Sequence, residues 1–227
     1  MRGLRILLIL VSLFAIVFVV ADRVVVGVAE DEAADRIQAR QGIAGDTTVS
    51  IRGFPFLTQV LSKHLDLVEL HLSDVQAASG RDERGRVVIS EMSATLRDIR
   101  LGSGFGSAVA GTAEGHALIG YDQLRQQSGE RLKVTYSGDE RLKVTADIEV
   151  NGRTVATTVT AEIEVTGGDA IRLRVVDGDG AVDAARRQIG FTQPVAGLPG
   201  GLTLKNVTPT ADGLNIGLTG RDVSLTS

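Results

Sequence analysis

The histidines and the absence of cysteine limit the chemistry open to this chain. His64, His71 and His116 do not stand at the His-Glu-x-x-His or paired-histidine spacing of a zinc site. His71 lies between Leu70 and Leu72, so we expect it at a solvated strand position. The chain contains no cysteine, which excludes disulfides, thiolate metal ligands, a cysteine nucleophile and a lipid anchor on cysteine.

Motifs for nucleophilic catalysis and phosphate binding are also missing from the sequence. There is no Gly-x-Ser-x-Gly elbow and no Walker loop. The glycine-rich residues 102–106 lack a third glycine at the spacing of a phosphate cradle, and no clear helix follows them. Neighbouring carboxylates occur at Asp139 and Glu140, at Asp177 and Asp179, and at Glu162 and Glu164. The first two pairs are typical of turns and the third of the polar face of a strand. Residues 177–183 lack the closing glutamate of a calcium loop. We predict no catalytic residues, no metal site, no cofactor and no enzymatic activity.

Charge and composition point away from nucleic acids and towards aliphatic ligands. The chain has 24 basic and 28 acidic residues and a net charge of -4, whereas nucleic-acid-binding proteins are normally basic. Six Phe, two Tyr and no Trp offer few rings for stacking on bases or sugars. Val, Leu, Ile and Ala are abundant, so apolar surface is plentiful.

An almost unbroken apolar run occupies residues 6–21. Arg2 and Arg5 precede it, and Asp22 and Arg23 follow it, which is the layout of a secretory signal or of a membrane span with its positive end inside. Small residues suitable for cleavage follow, but nothing breaks the helix before them, so an uncleaved anchor is favoured over a cleaved signal. A buried helix of a globular protein is the third alternative.

The rest of the chain shows no composition shift that marks an internal boundary. We therefore expect residues 1–25 to be a signal sequence or membrane anchor and residues 26–227 to be a single β-rich domain. Such a protein is extracytoplasmic, either anchored to the cytoplasmic membrane by its N-terminal helix or secreted after cleavage of that helix. No pattern indicates the oligomeric state.

Apolar spacing of three and four residues predicts a few helices. They are expected at residues 26–41, ending before Gly42, at a short segment after Pro55, and at residues 121–127 and 183–189. Pro55 suits the first turn of a helix, and the apolar side chains at Leu57, Val60 and Leu61 share one face with His64.

A period of two residues predicts strands over most of the remaining chain. Strands are expected at residues 48–51, 65–72, 88–100, 202–207, 214–218 and 223–225, with an antiparallel meander at residues 131–176, hairpin turns at Asn151-Gly152 and Asp212-Gly213, and a loop at residues 101–111. The alternation slips at Val68, as at a β-bulge or a strand end. The hexapeptide Glu-Arg-Leu-Lys-Val-Thr occurs at residues 130–135 and 140–145, which indicates a local duplication of one strand plus its turn.

The apolar face of this sheet must pack against another element or a ligand. Because the predicted helices are short, the sheet either curls around them into an ordinary core or leaves an elongated apolar groove that acyl chains fill. Each buried methylene contributes roughly 0.8 kcal/mol, so a lipid tail can bind there without any special residue. The pattern alone favours the ordinary core.

Several stretches carry a resemblance to a known family. They are the apolar N-terminal segment, Gly53-Phe54-Pro55-Phe56-Leu57-Thr58-Gln59, Leu198-Pro199-Gly200-Gly201-Leu202, and the final pattern from Asp212-Gly213-Leu214 to Gly220-Arg221-Asp222-Val223. In these stretches the chain resembles the LmeA family of actinobacterial phospholipid-binding envelope proteins. The resemblance implies an α+β fold in which a strongly curved antiparallel sheet wraps one or two helices, similar to tubular lipid-binding folds, behind an N-terminal transmembrane or signal helix. It brings no catalytic residues.

The resemblance also implies a lipid groove. The expected lining residues are Phe54, Phe56, Leu57, Val60, Leu61, Val144, Ile148, Val159 and Ile163, with ordinary packing as the alternative for each of them. Arg97 and Arg100 are head-group candidates on the basis of their charge. The implied partners are a phospholipid or other acyl-chain ligand and the membrane, and not nucleic acid.

Three functional hypotheses follow from these patterns. The leading one is an envelope lipid-binding protein that holds or transfers phospholipid or lipid-linked glycan precursors without covalent chemistry. The alternative is a structural or interaction module of the cell surface with a fully packed core. A hydrolase of lipids or glycans is disfavoured, because no nucleophile and base can be paired.

Overall fold

The computed structural model describes residues 2–41, 46–78, 86–127, 132–150, 153–178, 192–194 and 200–225. Its helices in these ranges are α1 (Arg2–Gln41), α2 (Phe56–Leu61) and α3 (Tyr121–Gln127), and Ser103–Phe105 form a 3₁₀ turn. Its strands are β1 (Thr47–Arg52), β2 (His64–Ala78), β3 (Arg86–Leu101), β4 (Ala108–Ile119), β5 (Leu132–Gly138), β6 (Arg141–Val150), β7 (Arg153–Thr166), β8 (Ala170–Gly178), β9 (Thr192–Pro194), β10 (Leu202–Pro209) and β11 (Leu214–Ser224).

These strands form two antiparallel sheets. The first sheet has the order β1-β2-β3-β4-β11-β10, and the second sheet has the order β5-β6-β7-β8-β9. This arrangement confirms the predicted α+β class with few helices and mostly antiparallel strands. The division into two sheets is an addition to the prediction. It arises because β11 returns to pair with β4, a contact between distant segments that no local pattern reveals.

Helix α1 joins the apolar N-terminal segment and the predicted amphipathic helix into one element. No proline occurs within it. At Gly27 a Cβ would meet no other atom within 4 Å, so no neighbouring element presses on the helix there. The helix is long and apolar enough to cross a membrane, and its large side chains from Leu4 to Val17 are exposed. Both predicted parts of α1 are therefore confirmed as helix.

Two boundaries differ from the sequence expectation. The loop predicted at residues 101–111 is shorter, because β4 already begins at Ala108 and pairs there with Leu101 of β3. The separate strands predicted at residues 214–218 and 223–225 are one strand, β11, because β4 pairs along its length. The predicted turn at Asn151-Gly152 and the predicted helix at residues 183–189 lie outside the described residues.

The first sheet bends along a line that crosses four of its strands. One core-facing row consists of Leu65, Ile99, Ala110 and Val223, and the next consists of Val68, Leu96, Ala113 and Gly220. The rows are three residues apart instead of two, so each strand carries one extra residue between them. In β3 and β11 this residue is Asp98 and Asp222, with φ of 54° and 48°, a conformation that aspartate tolerates. In β4 it is Gly111, where a Cβ would lie 3.0 Å from that of Asp98.

This bend has a consequence for packing. Because the facing of the side chains shifts in all four strands at once, the apolar members of both rows reach the same cluster. That cluster also contains Val26 of α1 and Phe56 of α2. The slip predicted at Val68 therefore belongs to a shift in side-chain facing that runs through four strands, β2, β3, β4 and β11.

A second apolar cluster lies on the inner face of the second sheet. It includes Val144, Ile148 and Val159, and it also takes in Val207 and Leu214 from the first sheet. Strand β10 contacts β7, so this cluster connects the two sheets. The opposite face of the second sheet carries charges, as the alternation predicts.

Charged side chains cross the polar face of β6, β7 and β8 in a short ladder. Arg141 donates to Glu162 at 3.2 Å, Arg174 donates to Glu164 at 3.3 Å, and Arg174 also pairs with Glu162. All four side chains are at least partly exposed, so these pairs contribute little to stability. Their presence confirms that this face of the meander is the wet one.

Candidate functional site

The second half of α1 lies against the inner face of the first sheet. Val26 is buried in the cluster beside the bend, Ala29 packs against that cluster, and Ile37 packs against Leu72. Glu30 Oε1 accepts a hydrogen bond from the backbone N–H of Ile51 at 2.6 Å. The helix is therefore held to the first sheet by apolar packing and by a hydrogen bond to β1.

Several aliphatic side chains opposite α1 stay half-buried. We call this set the α1-facing surface, and it consists of Ile51, Val60, Val68, Leu70 and Met92. Each of them packs against a buried cluster and still presents part of its surface to solvent. Complete burial of such a side chain is worth roughly 1.5–3 kcal/mol, so each has about 1 kcal/mol still to gain from an apolar partner.

The apolar side chains on the inner face of the second sheet are more completely buried. Val144, Ile148 and Val159 are 0%, 1% and 1% exposed, so protein atoms already surround them. A ligand would have to displace those atoms to reach them, and an interior at native packing density resists such displacement. The apolar surface that can still take a partner therefore lies on the α1 side.

Helix α2 is tied to both α1 and β2 by polar contacts. Asp22 is buried, accepts a hydrogen bond from the backbone N–H of Leu57 at 2.9 Å and pairs with Arg23 at 2.8 Å. On the other side, the buried Gln59 accepts from the backbone N–H of Asp66 at 2.8 Å. These contacts fix α2 at the point where the apolar half of α1 ends.

A cavity of about 290 Å³ opens beside β1, β2 and β3 of the first sheet. It is lined by Thr48, Ser50, Glu69, Leu70, His71, Ser93, Ala94 and Thr95. Most of these are polar, so the cavity offers polar partners and not the continuous hydrocarbon wall that an acyl chain needs.

The predicted groove residues fall into two separate groups. Phe56 and Val60 belong to the cluster beside α1, whereas Val144, Ile148, Val159 and Ile163 belong to the cluster of the second sheet. Leu57 is half-buried, and Phe54 and Leu61 are exposed on the surface next to α1. The structure thus does not bring the nine residues together at one place, and their role as groove lining stays a prediction.

The head-group candidates Arg97 and Arg100 are both exposed on β3. The guanidinium of Arg100 pairs with Asp222 at 2.9 Å, next to the bend, and its neighbours Ile99 and Leu101 pack inward. Arg100 therefore points away from the α1-facing surface. Contact of either arginine with a phosphate stays a prediction.

His64 and His71 lie near carboxylates at the surface. His64 is 3.9 Å from both Asp66 and Asp98, and His71 is 3.8 Å from Glu91. Within the described part of the chain, no group of three or more His, Asp or Glu side chains could hold a metal ion.

Asp22 is a structural residue that sequence reasoning missed, because it was assigned only to the flank of the apolar run. A carboxylate inside a long apolar helix needs a partner, and this requirement is a signal that the sequence does contain. The identity of the partner, the backbone of α2, depends on the tertiary structure.

Comparison with known proteins and protein families gave one match. Residues 20–219 match the sequence model of the LmeA-like phospholipid-binding family. No curated protein matches the chain, and no solved structure matches it.

Proposed function

Because the chain belongs to the LmeA-like phospholipid-binding family, we propose that it is a membrane-tethered protein of the cell envelope that holds or transfers lipids. Its cargo is phospholipid or a lipid-linked glycan precursor. Binding consists of burying acyl chains, without a covalent step. The family match over most of the chain carries the proposal, and the half-buried aliphatic side chains beside α1 support it.

The acyl chains lie along the α1-facing surface in this proposal. That surface consists of half-buried aliphatic side chains beside a long apolar helix, so hydrocarbon can add burial there. At roughly 0.8 kcal/mol per methylene, ten to twelve methylenes supply about 8–10 kcal/mol before the cost of ordering the chain. No special polar residue is needed for such binding.

The N-terminal half of α1 places the domain at the membrane in this proposal. Its length and composition are compatible with a signal anchor, and Arg2 and Arg5 at its start favour an orientation with the rest of the chain outside. The lipid-binding surface then lies at the outer side of the membrane that supplies the lipid.

Native mass spectrometry of the full chain tests this function. The protein is extracted from a phospholipid-containing host in a mild detergent, and we expect adducts whose mass equals that of defined phospholipids. A clean apo mass after gentle handling contradicts the proposal and favours the surface module with a packed core.

Matched variants test whether a bound lipid lies at the α1-facing surface. Leu70→Asp puts a charge on the α1-facing surface and removes the adduct, whereas Val155→Asp alters an aliphatic side chain that is 43% exposed on β7 and leaves the adduct in place. Thermal melts of both variants show whether each protein is folded. Equal adduct levels in the two folded variants would place the lipid elsewhere.

A further inference from the structure

Two large apolar side chains beside the anchor are strongly exposed. Phe54 is 57% exposed and Leu61 is 86% exposed, the highest value among the large hydrophobic residues that the structure describes. Both belong to residues 53–61, which also contain the half-buried Leu57. A cluster of exposed apolar residues on one segment, unlike scattered single ones, marks a surface that meets another apolar phase.

This segment meets α1 at the level where a membrane boundary is expected. The exposed apolar side chains of α1 continue past Asp22 to Val24, Val25 and Val28. Val26 is already buried against the first sheet, so the membrane-spanning part of α1 ends before it. At 1.5 Å per residue, residues 4–23 cover about 30 Å, the thickness of a bilayer core. The contact between α1 and residues 53–61 therefore falls near the end of the span.

The charges at this contact suit the edge of a membrane. A carboxylate near hydrocarbon is costly unless it is paired, and Asp22 is enclosed by the Arg23 guanidinium and the backbone of α2. The Arg23 guanidinium also lies 5.3 Å from the centre of the Phe54 ring. Lys63 is exposed just after Leu61, and a cation next to apolar anchors favours anionic head groups.

We infer that residues 53–61 are a membrane-contact segment, in which Phe54 and Leu61 insert into the interfacial layer of the bilayer that α1 spans. The inference rests on the proposed anchoring of α1 and is independent of the acyl-chain site. Val60 of the same segment belongs to the α1-facing surface. The insertion therefore holds the α1-facing surface beside the membrane, so that a lipid reaches it by a short path.

The chain contains no tryptophan, which allows single reporters at chosen positions. Phe54→Trp and Leu61→Trp place the reporter on the membrane-contact segment, and Val155→Trp places it on an exposed apolar position of the second sheet. Each full-length variant is reconstituted into vesicles of phosphatidylcholine and phosphatidylglycerol, with or without bromine on the acyl chains. All three substitutions replace exposed side chains, and thermal melts compare their folding with that of the original chain.

Brominated chains quench tryptophan only at close range. We expect reporters at positions 54 and 61 to lose most of their emission and to shift to the blue relative to the reporter at position 155, which keeps its emission. Quenching at 54 or 61 that is no greater than at 155 would overturn the inference. Adducts measured by native mass spectrometry on the same variants separate this outcome from failure of lipid binding, because either result can occur without the other.

Discussion

Shortening Leu70 is expected to weaken lipid binding and to destabilise the fold by a similar, modest amount. Leu70 is half-buried and packs against both clusters on the α1 side. Leu70→Ala removes three carbon atoms, which costs the fold about 1–2 kcal/mol because only part of the side chain is buried. The same atoms contribute about 1–2 kcal/mol to contact with an acyl chain, so the lipid Kd rises about tenfold.

Ile148→Ala is the matched comparison in the second sheet. Ile148 is 1% exposed, and truncation of such a residue typically costs about 2–5 kcal/mol of unfolding free energy through lost transfer energy and a cavity. Its surroundings are already filled by protein, so the lipid affinity of the folded protein stays unchanged. The two variants should therefore separate stability from binding.

The assay combines two measurements on the full chain in mild detergent. Urea unfolding followed by circular dichroism gives the free energy of unfolding, and titration with a phospholipid that carries a fluorescent acyl chain gives the Kd. An unchanged Kd for Leu70→Ala would refute the placement of the acyl chain. A Kd that rises equally in the two variants would show that the interior of the second sheet binds lipid, as predicted for Val144, Ile148, Val159 and Ile163.

Three further substitutions test individual contacts in the fold. Asp22→Ala removes the charged acceptor of the Leu57 amide, so the amide of Leu57 should exchange its hydrogen faster in solvent-exchange measurements. Gly201→Ala forces a side chain into a backbone with φ of 91° and places Cβ 2.7 Å from the Arg221 carbonyl oxygen, so urea unfolding should show a loss of about 1–3 kcal/mol. Burial raises the pKa of Tyr121. The neutral phenol therefore makes its full contribution to the free energy of unfolding below the usual tyrosine pKa of about 10, and this contribution is lost as the pH rises through the folded-state pKa. Urea unfolding between neutral and alkaline pH should therefore show a weaker pH dependence in Tyr121→Phe.

Each of these expectations has a result that contradicts it. Unchanged exchange at Leu57 would mean that Asp22 does not hold α2. Wild-type stability of Gly201→Ala would mean that the backbone relaxes at no cost. An identical alkaline loss of stability in Tyr121→Phe would assign that loss to other groups. Glu32→Gln is a control for the first variant, because the Glu32–Arg36 pair is exposed and such pairs are worth little.

Local periodicity predicted the elements of this protein well. The helix at residues 121–127 and the paired repeats in β5 and β6 follow from side-chain spacing, because spacing alone decides which face of an element is dry. The loop at residues 101–111 was wrong in part, since small residues at the start of β4 carry no alternation. They form a strand only because β3 and β11 flank them.

Apolar residues that look alike in the sequence differ in burial in the folded protein. Phe56 and Ile148 are both buried, and Phe54 and Leu61 are both exposed, yet the resemblance to the family implied one shared groove for these four residues. Burial depends on which segments come to lie on top of a residue, and this is decided by contacts between distant parts of the chain.

The sequence by itself determined the antiparallel, β-rich class, the apolar N-terminal helix and the family, because these depend on local spacing and on motifs of contiguous residues. Only the tertiary structure decided the separation into two sheets, the bend through Asp98 and Asp222, and the docking of α2 on Asp22. Each of these depends on register between strands, or on contacts between helices, that are far apart in the chain. Local propensity does not encode such register, since a shift of one residue exchanges the two faces of a strand while leaving its composition unchanged.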